Sequence, residues 1–518
     1  MLQFSMAMSW LCIATARRMV DSLLDVSEVT WLPEAGAYKD HDSRFVGSPS
    51  IVKSGNRWLA SHDYFFHTPV GQVSVFASDD DSGVDWTFAA NLTGIYWAQL
   101  FAPDGDSGDI YLIGPAGDET GEGDLRIARC AAPCDGTSWE GPTTIFEGTP
   151  ARMFHAAPTP VVPHAPSGQL LRAMEVHGTA VPEGDLGIVM LAAAAAAECR
   201  PLTNPGCWAV SDALQWDASF DLDLNVVMRP SPEDPDTEIS PELRHESNDA
   251  ARAGQQGLRG FSNENESKRV NMNVSVIVNM STGKSKDGRA STRALGGETR
   301  QWEEANAIFD PISGNTSVLV RLDAPLSGCT NVTDCNRAAL LRWETKNPAR
   351  PSLSSSSGTD LPGQVSSSSS SSSPGMALDA GSLRFDRIVA MPTGCNKFVV
   401  RAEPSGAAQS NGTWLYALSN PVDADGIAAG TCSQRNTAVL SRSSDLVTWH
   451  VCRQVLYDDT GFSPSDSVAH TGLQYIDFRF DGDDILMAIR AGYRGSVSFH
   501  DANRLLVKRL TDYRSMCD

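Results

Sequence analysis

Along most of the chain, apolar residues come in short runs that alternate with single polar positions, and each pair of runs flanks a cluster of Gly, Asn, Asp, Pro or Ser. That is the pattern of β-hairpins, with the turn chemistry between strands. The stretch QWEEANAIFDPISGNTSVLVR (301–321) is one example: ANAIF and TSVLVR read as strands and DPISGN as their turn. Four more copies have the same form: PSIVKSGNRWLASHD, APTPVVPHAPSGQLLRAME, NKFVVRAEPSGAAQSNGTWLYALSN and YIDFRFDGDDILMAIR. Strands throughout, with little helical periodicity, predict an all-β propeller or large sandwich. Two stretches break the pattern: the polar segment 226–300 and the serine-rich segment 351–375 read as insertions that carry no core.

Pairing arithmetic then gathers the reactive side chains. In a hairpin the start of the first strand lies beside the end of the second. With Phe309 opposite Thr316, Glu304 falls opposite Arg321. An exposed cross-strand ion pair is the bland account of that juxtaposition. The same arithmetic puts Gly47–Pro49 beside His62 and Asp63, His155 near Glu175 and His177, Lys397 near Ser419 and Asn420, and Gln474 with Tyr475 near Arg490. In a propeller these hairpin ends converge around the axis, so acids, histidines and arginines are predicted to face one pocket. His62, His155, His470 and His500 all fall in segments read as strand ends. Trp97 and Gln99 read either as a sugar platform or as core packing.

A second repeat sharpens the fold. DDDSGVDW (79–86), CDGTSW (134–139), SDALQW (211–216) and SSDLVTW (443–449) each set an acid a few residues before a tryptophan. They resemble the Asp-box, Ser-x-Asp-x-Gly-x-x-Trp, of sialidase-type propellers, with Asp79 in the serine position of the first. Sialidase-like BNR-repeat proteins also share GSPS, SHD, RAME, HTGLQYIDF and HDAN, and the resemblance covers about 45–225 and 300–510. It implies a six-bladed propeller occupying 25–518, after a possible leader or extension at 1–24. It also implies an exo-glycosidase acting on a carboxylate-bearing sugar. In that scheme Tyr475 is the nucleophile, Glu304 its partner and Asp63 the acid, with Arg321 and Arg435 gripping the carboxylate; Arg490, His62, His155 and His470 are read from the hairpin ends as further substrate-binding residues. Bidentate guanidinium pairing suits such an anion. Where that family has an arginine on the first strand, this chain has Gly47 and Ser48, and the simplest alignment puts Leu473 at the tyrosine position. Two other readings fit the same residues: a histidine-dependent lyase or hydrolase acting on uronates, and a non-catalytic glycan-binding propeller.

Charge and cysteines set the remaining bounds. A net charge of −22 argues against nucleic acid as a partner and leaves a glycan or glycoconjugate. No later run approaches a membrane span, and a monomer is expected. Among 11 cysteines, Cys130 with Cys134, Cys199 with Cys207 and Cys329 with Cys335 are spaced to staple loops. Together with seven Asn-x-Ser/Thr patterns they predict a secreted protein. No cofactor is expected, apart from a structural calcium on the acidic loops 79–85 and 481–484.

Overall fold

The computed structural model describes residues 30–31, 45–65, 71–116, 123–155, 157–178, 186–194, 199–215, 302–310, 313–322, 335–345, 378, 380–393, 395–404, 413–422 and 434–518. The segments 1–24, 226–300 and 351–375 lie outside them.

Six antiparallel sheets follow one another along the chain as the blades of a propeller. Blade 1 is built from Phe45–Ser54, Arg57–Phe65, Gln72–Ser78 and Trp86–Thr93. Blade 2 takes Gln99–Phe101, Ile110–Pro115, Leu125–Cys130 and Glu140–Phe146. In blade 3 the innermost position is split between Met153–His155 and Val162–His164, both paired with Gln169–His177, and Gly187–Ala194 and Trp208–Val210 follow. Blade 4 holds Trp302–Phe309, Thr316–Leu322, Arg337–Glu344 and Ser382–Ala390. Blade 5 holds Val399–Ala402, Leu415–Ser419, Thr437–Ser443 and His450–Tyr457. Blade 6 joins Gly472–Asp481, Asp484–Gly492 and Arg504–Leu510 to the early strand Thr30–Trp31, which pairs with Arg504–Leu510 as its outer edge.

The core lies between blades, because each sheet buries both faces against its neighbours. Six apolar clusters fill the six gaps in turn. The closing one packs Trp58, Phe76 and Trp86 of blade 1 against Leu486, Leu505 and Val507 of blade 6. A polar clasp reinforces this closure. Asp477 of blade 6 accepts hydrogen bonds from Ser50 Oγ (3.0 Å) and Ile51 N (3.0 Å) of blade 1, and from Gln99 Nε2 (3.1 Å) of blade 2. Gln99 is therefore a core residue and not a sugar platform.

The Asp-box turns form as local chemistry requires. In three of them the tryptophan Nε1 donates to the carbonyl three residues earlier: Trp86 to Gly83 (2.8 Å), Trp139 to Gly136 (2.8 Å) and Trp449 to Leu446 (3.2 Å). The accepting residue has positive φ each time, 66°, 84° and 64°; Leu446 does what glycine does in the other two. The alignment of the first box shifts by one residue, since Asp80 accepts from Ser82 N and Ser78 binds the Asp80 carbonyl. Asp79 is not its serine equivalent.

Cys130–Cys134 and Cys199–Cys207 are disulfides as expected, and Cys452–Cys517 adds one across 65 residues that the spacing did not suggest. Cys335 is also disulfide-bonded, while Cys329 lies outside the described residues. Bonds of this kind persist in oxidising surroundings such as the extracellular space. The acidic loops proposed for calcium direct carboxylates at cations of the chain: Lys53 meets Asp81 (2.7 Å) and Asp481 (2.6 Å), and Arg509 meets Asp481 (2.6 Å) and Asp484 (3.4 Å). Among the described residues no helix is long and apolar enough to cross a membrane.

Candidate active site

Backbone irregularity creates the site. Phe309 does pair with Thr316, but the register slips between Glu303 and Asn306, so Glu303 stands opposite Arg321. Glu304 occupies the bulge, with φ 59°. The same happens in blade 6, where the register slips between Gln474 and Asp477 and Tyr475 has φ 53°. Trp97 (φ 44°) and Cys395 (φ 48°) also have positive φ, in the loops that lead into the innermost strands of blades 2 and 5. A bulge re-aims a side chain, and holding a non-glycine residue in the left-handed region costs about 1–2 kcal/mol. Four such residues at one end of the innermost strands mark a functional region, since strain of this kind collects at active sites.

These residues open a cavity of about 260 Å³ lined by Trp97, His155, His177, Glu303, Glu304, Tyr475 and Arg490, with Ser48, Ala157 and Leu186 completing the wall. The Glu304–Arg321 pair is buried, not exposed: Arg321 Nη1 lies 3.0 Å from Glu304 and 3.7 Å from Glu303, and its Nε donates to Cys395 O at 2.7 Å. Tyr475, at the centre, has three cations over its ring, with Arg490 at 5.0 Å, Lys397 at 5.5 Å and Arg435 at 5.8 Å from the centroid. Burial and the Glu304 carboxylate raise its hydroxyl pKa, while Arg321, Arg435 and Arg490 pull it down. Arg435 is further fixed by a short hydrogen bond to Gln474 Oε1, and Arg490 by donation to His500 O at 2.6 Å. The aromatic wall opposite in chemistry is a chain of edge contacts, Trp97 to His155 (4.6 Å) and His155 to His177 (4.9 Å). Burial, with His177 beside it, lowers the His155 pKa to about 3, so its ring is neutral at ordinary pH.

Asp63 sits behind this wall. Its carboxylate accepts from Ser48 N at 2.6 Å and is 1% exposed. Burial lifts its pKa to about 7 against the opposing pull of Arg490 and of the Ser48 and Trp97 amides. A Cβ placed on Gly47 would fall within 3 Å of all three atoms of that carboxyl group. This explains physically why no arginine stands at the first-strand position: Asp63 fills the space a side chain there would need. Gly47→Ala is accordingly expected to destabilise the fold by about 1–3 kcal/mol, the usual scale for overpacking. Urea unfolding would check this, and Asp63→Ala in the same chain should restore part of the loss.

The structure therefore brings Glu304, Tyr475, Arg490 and His155 to the cavity and sets Arg321 and Arg435 immediately behind them. Asp63 is adjacent but covered. Two histidines lie elsewhere. His62 alternates with Asp63 along its strand and points into the blade, stacked 5.7 Å from Phe76 with Nδ1 bound to Asp63 O (2.9 Å). His470 ends the helix Pro464–His470, not a strand, and its Nδ1 meets Val497 O at 3.1 Å. A third, His500, is in a loop and not at a strand end, 3.1 Å from Asp501, and Asn503 exchanges two hydrogen bonds with the Tyr493 backbone. Hairpin arithmetic identified neither Glu303 as a lining residue nor the cation cage around the Tyr475 ring; both depend on bulges and on packing between blades.

The described sheets thus form a six-bladed β-propeller. No protein family matches it by sequence, and no curated protein does. Among solved structures it is similar to the Hadza microbial sialidase Hz136, at 10% identity and a TM-score of 0.45 over 91% of this chain and 66% of that one. It is similar to the Trypanosoma rangeli sialidase at 10% identity and a TM-score of 0.44, over 90% and 55% respectively. An arginine-to-alanine mutant of AofleA from Arthrobotrys oligospora matches at 8% identity and a TM-score of 0.35, over 93% and 89%. The chain spans between about half and two-thirds of the length of those sialidases.

Proposed function

We propose that this protein is a secreted glycoside hydrolase that cleaves a carboxylate-bearing sugar from a glycan, with Tyr475 as nucleophile. The observation that carries this reading is the pairing of two strained residues, Glu304 and Tyr475, at one cavity with guanidinium groups around the tyrosine ring. Tyrosine nucleophiles are a known exception to the two-carboxylate scheme of glycosidases. In this reading the Glu304 carboxylate takes the Tyr475 proton as Oη bonds to the anomeric carbon and the glycosidic C–O bond breaks. The departing oxygen takes a proton from Asp63, which is held protonated up to about pH 7 and, being covered in the free protein, has to be uncovered as substrate binds. Water then displaces Tyr475: its oxygen bonds to the anomeric carbon as the C–O bond to Tyr475 breaks, its proton passes to the Asp63 carboxylate, and Glu304 returns a proton to the tyrosine oxygen. Arg490, backed by Arg321 and Arg435, supplies the charge that binds the sugar carboxylate.

A second reading has its own support. His155 Nδ1 is buried without a hydrogen-bond partner, and a neutral imidazole beside a tyrosine suits proton abstraction from a uronate followed by β-elimination. Turnover of a fluorogenic sialoside and of a panel of uronate polysaccharides, by wild type and Glu304→Gln, separates the two. Sialoside release that falls about 10²–10⁴-fold in the variant supports hydrolysis. Ultraviolet gain from an unsaturated uronate, with no sialoside release, transfers the chemistry to His155. Binding without turnover leaves a glycan-binding propeller.

A further inference from the structure

Beneath the cavity floor lies a buried lysine that this scheme does not use. Lys397 is 1% exposed and its ammonium has no hydrogen-bond partner among the described residues. Lysine is almost never fully buried unless paired, and a buried ammonium without a hydrogen-bond partner carries a desolvation cost that packing does not offset. Packing therefore gives no reason for a lysine here. Its surroundings do. The ammonium lies over the face of the Tyr475 ring, 5.5 Å from the centroid. The charged groups that act on it are Glu304 and Asp477, which favour its protonated form, and Arg401 and Arg172, which oppose it. Asp477 is already engaged by Arg401 at 2.7 Å and by the hydrogen bonds of the blade clasp. Glu304 has Arg321 on it, but shares its corner of the core with Glu303 and the buried Glu175, whose pKa is raised to about 8 by burial and by these two neighbours.

We propose that Lys397 is a positioning residue, a buried cation over the Tyr475 ring that, together with Arg321 on Glu304, holds the tyrosine and its carboxylate partner in register for proton transfer. It does not touch the sugar, because it is sealed under Tyr475. Its influence passes through Glu304 and Tyr475, whose other charged neighbours are Arg321, Arg435 and Arg490. The catalytic part of this inference rests on the hydrolase reading above; the electrostatic coupling does not.

Burial lowers the Lys397 pKa to about 8. The cation is present below that pH and lost above it, so wild-type kcat should decline as pH rises through about 8. In Lys397→Met the part of the decline near pH 8 should vanish, leaving the fall near pH 7 that Asp63 sets, and kcat should be lower by about 10–100-fold, with KM little changed, since no substrate contact is removed. Lys397→Arg should recover part of kcat. A loss confined to KM, or an unchanged pH profile, would overturn the proposal.

The coupling is read without any substrate by NMR titration of lysines carrying ¹³C at Cε, with Lys397 assigned by its absence in Lys397→Met. Glu304→Gln should lower the Lys397 midpoint by about one pH unit, because a carboxylate that favoured the ammonium is gone. An unmoved midpoint would sink the proposal whether or not the protein turns over a sugar. A moved midpoint in a protein inactive on every sugar would retain the Lys397–Glu304 coupling and reject the hydrolase reading instead.

Discussion

Tyr475→Phe is expected to cut kcat/KM on the sialoside by about 10³–10⁶-fold, the range seen when an enzymatic nucleophile is removed, while leaving the melting temperature nearly unchanged. The two halves of this expectation have separate causes. The hydroxyl oxygen is the atom that bonds to the sugar, and the only other side-chain oxygens in the cavity lining are the Ser48 hydroxyl and the carboxylates of Glu303 and Glu304. The ring is retained, so the cation contacts from Lys397, Arg435 and Arg490 survive the change. Such contacts are worth about 0.5–2 kcal/mol each. The bulge that carries residue 475 is set by the register slip between Gln474 and Asp477, not by the hydroxyl. A variant that keeps activity within tenfold would remove Tyr475 from the mechanism; one that loses activity only by unfolding would show a fallen melting temperature. Burst kinetics in the wild type, absent in the variant, would add direct support for a covalent intermediate.

Asp477→Ala is expected to destabilise the propeller by about 3–5 kcal/mol, the scale for removing one partner of a buried ion pair. Asp477 has no exposed surface and binds Arg401 Nη2 at 2.7 Å. Burial alone would raise its pKa, but the guanidiniums of Arg401 and Arg479, the Arg401 hydrogen bond and the Lys397 ammonium hold it below the usual carboxylate range. A depressed carboxyl pKa contributes stability above the unfolded value of 3.8, which is lost as pH falls towards the folded one. The loss in Asp477→Ala should therefore be full at neutral pH and shrink in strong acid. The same carboxylate joins blade 6 to Ser50 and Ile51 of blade 1, residues more than 420 positions away in sequence. Losing it should thus open the ring where it closes. Urea unfolding at pH 7 measures the effect, and a change below about 1 kcal/mol would mean that the apolar cluster around Trp58 closes the ring alone.

Much of this architecture is legible in the chain because it is local. Strand and turn propensities belong to adjacent residues, so the hairpin at 302–322 and its partners in the other blades follow from periodicity and turn composition. The Asp-box turns are local for the same reason, although the one-residue shift at Asp80 shows that a spacing rule does not choose between neighbouring acids. Pairing arithmetic also brings His155 near Glu175 and Gln474 near Arg490, and in the sheets both turn out to be direct register partners.

What the sequence by itself determined was therefore the hairpins, their turns and which end of each carries charge. The tertiary structure decided which of those charged groups meet. Bulges at Glu304 and Tyr475 turned side chains that ideal pleating would have placed elsewhere, and a one-residue slip reverses the face a side chain occupies. Strand alternation sent His62 into the blade while Asp63 went to the axis. Closure of the ring brought Lys397, Arg435 and Arg490 over one tyrosine from positions separated by up to 93 residues. The physical reason is that strand and turn preferences act between neighbours in the chain, whereas the burial and electrostatics of this cavity are sums over groups that only packing between blades makes neighbours.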